Sequence, residues 1–267
     1  MTVRLAPQIR AMLKSVYRAL SRSGSRITNR LPGACRVKTR GWGNAVSLSG
    51  VSRLRRSAIS IEGHDNSVDL GSSELINECR ISVTGNRNRI VVTRARAHAM
   101  GIVIRGNDNL ISIGDGCVIH GLGLVCEDSG NSISIGGTTE IAGGTEMATM
   151  EGTEIVVGER CLFSSGIHLR TGDSHSVVNL AGERINPSRN IIIGNHVWIG
   201  MGVTILKGSA VADSSILAAH AVLTKRFDSP NCTIAGNPAR VVREGVDWKV
   251  ERISPTQVLP VEPQREV

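Results

Sequence analysis

From Ile193 to Leu223 an aliphatic residue returns at every sixth position: Ile193, Ile199, Ile205, Val211, Leu217 and Leu223. That spacing excludes most architectures. A helix repeats its buried face near every 3.6 residues and a strand near every 2. A period of six suits short flat strands joined by corners, each strand turning one side chain inward. Such a coil cannot bury its own inner row, so coils must stack into one continuous core. The expected fold is all-β, a parallel β-solenoid. The same stretch carries Gly194, Trp198, Gly200, Lys207 and Lys225, which coil packing alone does not demand.

The period continues upstream in longer units. Ile113, Ile119 and Val125, then Ile135, Ile141 and Met147, then Val157, Phe163 and Leu169 are three hexad sets starting 22 residues apart. Farther upstream the hexads fade but the longer unit persists, with Asn44, Asn66, Asn88, Asn109 and Asn131 spaced 22, 22, 21 and 22. Each Asn precedes an alternating pair such as Val68 and Leu70 or Ile90 and Val92, the pattern of a strand with one inward row. Gly and Asn supply the turn before it, because both tolerate positive φ and Asn bonds local backbone. Equivalent corners place these Asn above one another, so they are expected to form side-chain ladders with a structural role.

Four segments follow from these periods. Residues 1–32 read as a basic amphipathic helix and linker. Residues 33–112 are solenoid coils of about 22 residues, and residues 113–243 are the strict hexads, with an interruption at 171–190. Residues 244–267 are an irregular tail that wraps or is disordered, with Pro255, Pro260 and Pro263 and no period. In the first segment Leu5, Ile9, Met12, Leu13, Val16 and Leu20 form one stripe, with Arg10, Lys14, Arg18 and Arg22 elsewhere. A helix over 4–22 would cap the open edge of the first coil, or attach to an anionic membrane surface or a partner in glycan assembly. Nothing there reads as a secretory signal, and no apolar run reaches the roughly 18 residues of a membrane span.

Net charge is +8, which suits an anionic partner, but aromatic residues are only 2% of the chain. Single-stranded nucleic acid needs stacking platforms that such a chain lacks. The six cysteines, Cys35, Cys79, Cys117, Cys126, Cys161 and Cys232, have no paired spacing. They are expected to be reduced core residues of a cytoplasmic protein, with no metal bound.

The candidate chemistry lies where the repeat breaks. Between Leu169 and Ile191 the sequence RTGDSHSVVNLAGERINPSRN puts polar, turn-forming residues where aliphatics are due. The 24-residue gap from Leu169 to Ile193 is a multiple of six, so a protruding loop and a degenerate coil both fit. Gly172, Gly182 and Pro187 favour the loop, and loops on rigid scaffolds concentrate function. His175 lies in this stretch beside Asp173, and Trp198 replaces a small outward side chain on a tight coil.

The motifs DSHS (173–176), RINP (184–187), IGNHVWIG (193–200), ILKG (205–208), LTK (223–225) and AGNPAR (235–240) resemble the hexapeptide-repeat acyltransferases. Their pattern is most similar to that of the sugar and polysaccharide O-acetyltransferases among them. The resemblance covers roughly 155–243. It implies a left-handed parallel β-helix, a homotrimer with sites in the clefts between coils, and acetyl-CoA as donor. It implies His175 as general base and Trp198 as a wall of the site, with Asn186 and Arg184 toward the acceptor. Backbone amides near Gly200 and Met201 would meet the thioester carbonyl. Ala218 and Ala219 would follow the pantetheine. Thr224, Lys225, Arg240 and Arg243 would meet the CoA phosphates. The coil VADSSILAAHAV departs from the family by lacking a second Gly, and Lys225-Arg226-Phe227 replaces a Lys-Asp pair.

The chemistry agrees with that assignment. A hydroxyl attacking a thioester needs a base that titrates near working pH, which histidine supplies. The second ring nitrogen needs an orienter, for which Asp173 or a backbone carbonyl would serve. The expected activity is acetyl transfer to a sugar hydroxyl, of a surface polysaccharide or its precursor, in the cytoplasm or at the inner face of the membrane. Alternatives are N-acetylation of an amino sugar or other small acceptor, a γ-type carbonic anhydrase using His168, His196 and His220, and a scaffold without catalysis.

Overall fold

The computed structural model describes residues 34–48 and 50–254. The expected helix over 4–22 and the tail beyond 254 lie outside the described residues. The described chain is a three-faced parallel β-solenoid. Face I is a nine-stranded sheet running from Ala45–Ser47 to Arg226–Phe227. Face II runs from Leu54–Arg55 to Thr233–Gly236, and face III from Arg36–Arg40 to Val222–Leu223. Faces II and III join because Arg96–Arg105 and Val118–Glu127 run continuously round the corner between them.

Register explains both periods seen in the sequence. In early coils Ile59 pairs with Ile81, a step of 22, whereas in late coils Ile205 pairs with Leu223, a step of 18. The early excess lies on face III, where Arg36–Arg40, Ala58–Glu62 and Arg80–Thr84 are five-residue strands and the late ones shrink to Val222–Leu223. The row Ile193, Ile199, Ile205, Val211, Leu217, Leu223 is buried, as are Phe163 and Leu169. One inward assignment is corrected: Val125 faces outward, and Leu124 takes the core position opposite Met147. The corner at Gly121 is one residue shorter than that at Gly143 and Gly144, which shifts the phase by one. All six cysteines are buried and free, and burial pushes the Cys79, Cys126 and Cys161 thiols up to about 11.

The asparagines form the expected ladder. Nδ2 of Asn66, Asn88, Asn109 and Asn131 each donates to Oδ1 of the Asn one coil earlier, at 2.9, 3.0, 3.0 and 3.1 Å. The same Oδ1 atoms accept the backbone N–H of the next Asn, and Thr153 N–H ends the series on Asn131. The C-terminal edge is closed by Ala239–Arg243, which folds back antiparallel on Thr233–Gly236.

Asn88 both donates and accepts in the ladder while fully buried. Asn88→Ala strips the buried Asn109 N–H of its acceptor and takes a donor from Asn66 Oδ1 and the Gly106 carbonyl, and is expected to cost about 3 kcal/mol. A chemical-denaturation midpoint measured beside that of the exposed control Ser60→Ala checks this, and equal midpoints would refute it.

Candidate active site

The interruption of the repeat is an extruded loop. Ile155 pairs with Ile191 and Leu169 with Ile205, so the coils before and after it stack directly and residues 171–190 leave the solenoid. The loop departs from the edge between faces III and I. Two charged residues of neighbouring coils on that edge hold it. Glu151 pairs with Arg184 at 2.6 Å and accepts the Ser188 N–H at 3.1 Å. Lys207 Nζ donates to Asp173 Oδ2 at 2.5 Å and to the Asn186 carbonyl at 3.1 Å.

Inside the loop Asn186 is the hub. Its Nδ2 donates to Asp173 Oδ2 and to the His175 carbonyl, both at 2.8 Å, and its Oδ1 accepts from Val177 N–H and Arg184 Nε. Asn186 is buried with both ends of its amide committed, so the expected contact with an acceptor gives way to a role in shaping the loop. Arg184, also expected toward the acceptor, is committed to Glu151 and Asn186. Asp173 is joined to His175 through the backbone, His175 N–H donating to the Asp173 carbonyl at 2.7 Å. Its carboxylate is turned to Lys207 and Asn186, whose hydrogen bonds hold it below the ordinary carboxylate range. The His175 side chain is thereby left exposed on a pinned backbone. Val177, Val178, Leu180 and Ile185 of the loop are exposed as well, Leu180 fully.

Trp198 opens a face II strand in register with Leu162 and Ile216. Its ring is 38% exposed and lies 6.1 Å from that of Trp248. Trp248 belongs to the tail that looked irregular in sequence, yet it is only 6% exposed. It stacks on His196 at 4.3 Å, and its Nε1 donates to the His196 carbonyl at 2.9 Å. His196 Nε2 meets Asp247 at 3.1 Å, and Val246 exchanges hydrogen bonds with Asn231. Residues 246–248 thus form a strap beneath Trp198. No repeat announced it; the one sequence signal was a tryptophan in a chain that holds three.

His175 and Trp198 are not brought together within one chain. The loop stays on the edge between faces III and I, whereas Trp198 lies beyond the edge between faces I and II. Past Trp198, Gly200 is committed to packing: its N–H donates to the Leu217 carbonyl, and an added Cβ would lie 2.7 Å from Ala219 N. The amide expected there to meet a thioester is therefore not Gly200's. The Met201 and Ala219 amides make no hydrogen bond among the described residues, and Ala218 N–H goes to Ile234. Lys225 and Arg240 line an open cavity of about 390 Å³ with Phe227, Asp228 and Ser229. Lys225 Nζ sits 5.5 Å from the Phe227 ring centroid, and Arg226 ties up Asp228 at 2.7 Å. Thr224 and Arg243 flank this cavity in sequence and are exposed. The three histidines of the carbonic anhydrase alternative go to separate partners. His168 lies 3.6 Å from Glu146, His196 binds Asp247, and His220 lies over Gly202.

A three-faced solenoid with a loop extruded between its late coils defines a class, the left-handed parallel β-helix acyltransferases. The family described as bacterial transferase hexapeptide (six repeats) matches residues 190–225. The polysialic acid O-acetyltransferase of Neisseria meningitidis is 35% identical over 189 residues, 70% of this chain and 87% of that protein. The polysialic acid O-acetyltransferase of Escherichia coli O1:K1 is 32% identical over 35% of this chain and 32% of its own length. Among solved structures, the polysialic acid O-acetyltransferase OatWY superposes with a TM-score of 0.59 at 30% identity, over 83% of this chain and 94% of its own. The polysialic acid-specific acetyltransferase NeuO shares the fold with a TM-score of 0.65 at 24% identity, over 84% and 92% of the two chains. The chain belongs to the hexapeptide-repeat acyltransferases and is an acetyl-transferring enzyme.

The loop's anchors give it an acid limit. Hydrogen bonds from Arg184 and Ser188 hold Glu151 from its ordinary 4.5 down to about 2. A carboxylate held low in the folded state stabilises above its ordinary value and loses that contribution as pH falls toward its folded value. The loop is expected to resist pepsin near pH 4.5 and to become cleavable as pH falls toward about 2. Arg184→Ala should raise the pH at which cleavage begins. Cleavage at an unchanged rate across this range would contradict the anchoring role.

Proposed function

We propose that this enzyme moves an acetyl group from acetyl-CoA to a hydroxyl of an anionic polysaccharide, with His175 as the general base. The observation that carries the reading is the extruded loop. The solenoid suspends its stacking rule at one place in the hexads, and a buried amide and two charged anchors fix the backbone on either side of an exposed imidazole. In this reading His175 takes the proton of the acceptor hydroxyl as that oxygen attacks the thioester carbonyl. The imidazolium then returns the proton to the departing thiolate. The Met201 amide, unpaired among the described residues, suits the oxyanion, a contact worth about 3 kcal/mol in comparable sites. All six thiols are buried away from the loop's exposed imidazole, so in this reading transfer is direct within a ternary complex. Lys225 and Arg240 at the open cavity fit CoA phosphates, and Phe227 gives that cavity an apolar floor. The names of the polysialic acid relatives point to a polymeric, carboxylate-bearing acceptor. The donor places the reaction in the cytoplasm, and among the described residues no helix is long and apolar enough to cross a membrane.

The active form is a homotrimer in this reading, because His175 and Trp198 lie on different edges of one prism. A neighbouring copy would bring its Trp198 to the loop, and the exposed Val177, Val178, Leu180 and Ile185 would be covered by that copy.

With acetyl-CoA and polysialic acid, His175→Ala is expected to lower thiol release at least about 100-fold, as loss of a general base does. A variant as fast as the parent sinks the assignment. Co-refolding His175→Ala with Trp198→Ala separates the trimer from the monomer. Random mixing puts one intact site in every mixed trimer, about a quarter of parental activity in total, if each site takes one residue from each of two copies. No recovery above the separate variants places both residues in one chain.

A further inference from the structure

The net positive charge of this chain is confined to one end. Residues 1–61 hold 13 Lys and Arg with no Asp or Glu, leaving 18 bases against all 23 acids over 62–267, a net of −5 there. Over residues 87–105 the exposed arginines are neutralised by an acid one coil away: Arg87 by Asp108, Arg94 by Asp115, Arg96 by Glu74 and Arg105 by Glu127. At the N-terminal end Arg40 and Arg56 keep such partners, Glu62 and Glu78, but most bases do not. Arg36, Lys38, Arg53, Arg55 and Arg80 are exposed, and none of them forms an ion pair among the described residues. Arg36 and Arg80 stand in one column of face III with Ala58 between them, and Lys38 points outward beside Arg36.

A second observation marks the same end. Trp42 is 63% exposed in the turn after the first strand, between Gly41 and Gly43, with its ring stacked 4.8 Å from His64. Few aromatics exist in this chain, and this one faces solvent. Unpaired bases beside an exposed tryptophan suit the boundary of an anionic bilayer, where an indole sits among headgroups. The residues before Ala34 match in sequence, with seven bases, no acid and an apolar residue at positions 5, 9, 12, 13, 16 and 20. An acidic polysaccharide explains this less well. To reach the loop from this end it would cross a net-negative surface, and it has no use for an apolar stripe.

We propose that the N-terminal end of the solenoid docks on an anionic lipid surface through Arg36, Lys38, Arg53, Arg55, Arg80 and Trp42. Six coil steps separate Leu54 from Ile199 on face II. At about 4.8 Å each, the coil of Trp198 stands roughly 29 Å from the docked end. This does not rest on the acceptor or on the catalytic assignment.

The test is sedimentation of the full chain with vesicles of phosphatidylcholine alone or mixed with phosphatidylglycerol. Binding is expected only with phosphatidylglycerol and should be released by salt. The exposed triple variant Arg36→Ser, Lys38→Ser, Arg55→Ser should weaken it about 100-fold with an unchanged melting temperature. Trp42→Ala should weaken it without changing its salt dependence. Equal binding to both vesicles, or none at low salt, overturns the proposal. So does a triple variant that binds like the parent, because the residues before Ala34 would then suffice. Tighter binding of soluble polysialic acid than of vesicles, lost in the same triple variant, would assign the patch to the acceptor instead.

Discussion

Parallel stacking in register is the constraint on which everything else here depends. Each residue of a coil lies over its equivalent in the coil below, so one residue type repeated at one position becomes a column. An aliphatic column makes the core. An asparagine column satisfies its own amides, each Oδ1 accepting a side-chain and a backbone N–H from the next coil. Outside, the same rule pairs Arg with Asp or Glu one coil away, as in Arg87–Asp108 and Arg94–Asp115. These exposed pairs add little stability individually. What they do is neutralise the flank of the rod, which is why the unpaired bases of the first coils stand out.

The loop exists because stacking can be suspended without being broken. Ile155 meets Ile191 as if residues 171–190 were absent, so the core beneath is continuous. The extruded chain has no core of its own, and polar bonds replace it. Asn186, Lys207 and Glu151 do the work that aliphatic columns do elsewhere, and they come from three different coils or corners. A loop held this way is rigid where it carries His175 and weak where its carboxylates can be protonated. With His175 as the proposed general base, a fixed backbone there would keep the imidazole within hydrogen-bond reach of the acceptor hydroxyl.

Much of the fold was legible because period six admits few shapes, and the Asn spacing fixed the coils upstream. The phase was less legible: Val125 faces outward because one corner is a residue shorter, and hexad counting cannot see corner length. The location of the candidate site was readable from the broken repeat, but its wiring was not. Asn186 and Arg184 look like ligand contacts in sequence because the RINP stretch resembles a motif of the family. Only the three-dimensional path shows Asn186 buried and saturated. Lys207 stood out as a residue a plain coil would not demand, and its partner Asp173 lies far back along the chain. Trp248 was hidden for the opposite reason, in a tail whose order comes from contacts with His196 and Asn231 and not from any period.

The separation of His175 from Trp198 follows from the same geometry. A triangular coil has three edges, and a loop can leave only from an edge, whereas an outward strand residue occupies a face. Moving Trp198 to the loop within one chain would require face I to be crossed, and the anchors Glu151 and Lys207 hold the loop on the far side of it. A solenoid of this kind can therefore be stable alone and still chemically incomplete. In the proposed homotrimer the exposed apolar side chains of the loop would be covered by a neighbour, whose Trp198 would bring the second wall. On that proposal folding and site assembly are separate problems: hexads solve the first within the chain, and the loop's apolar surface would serve the second.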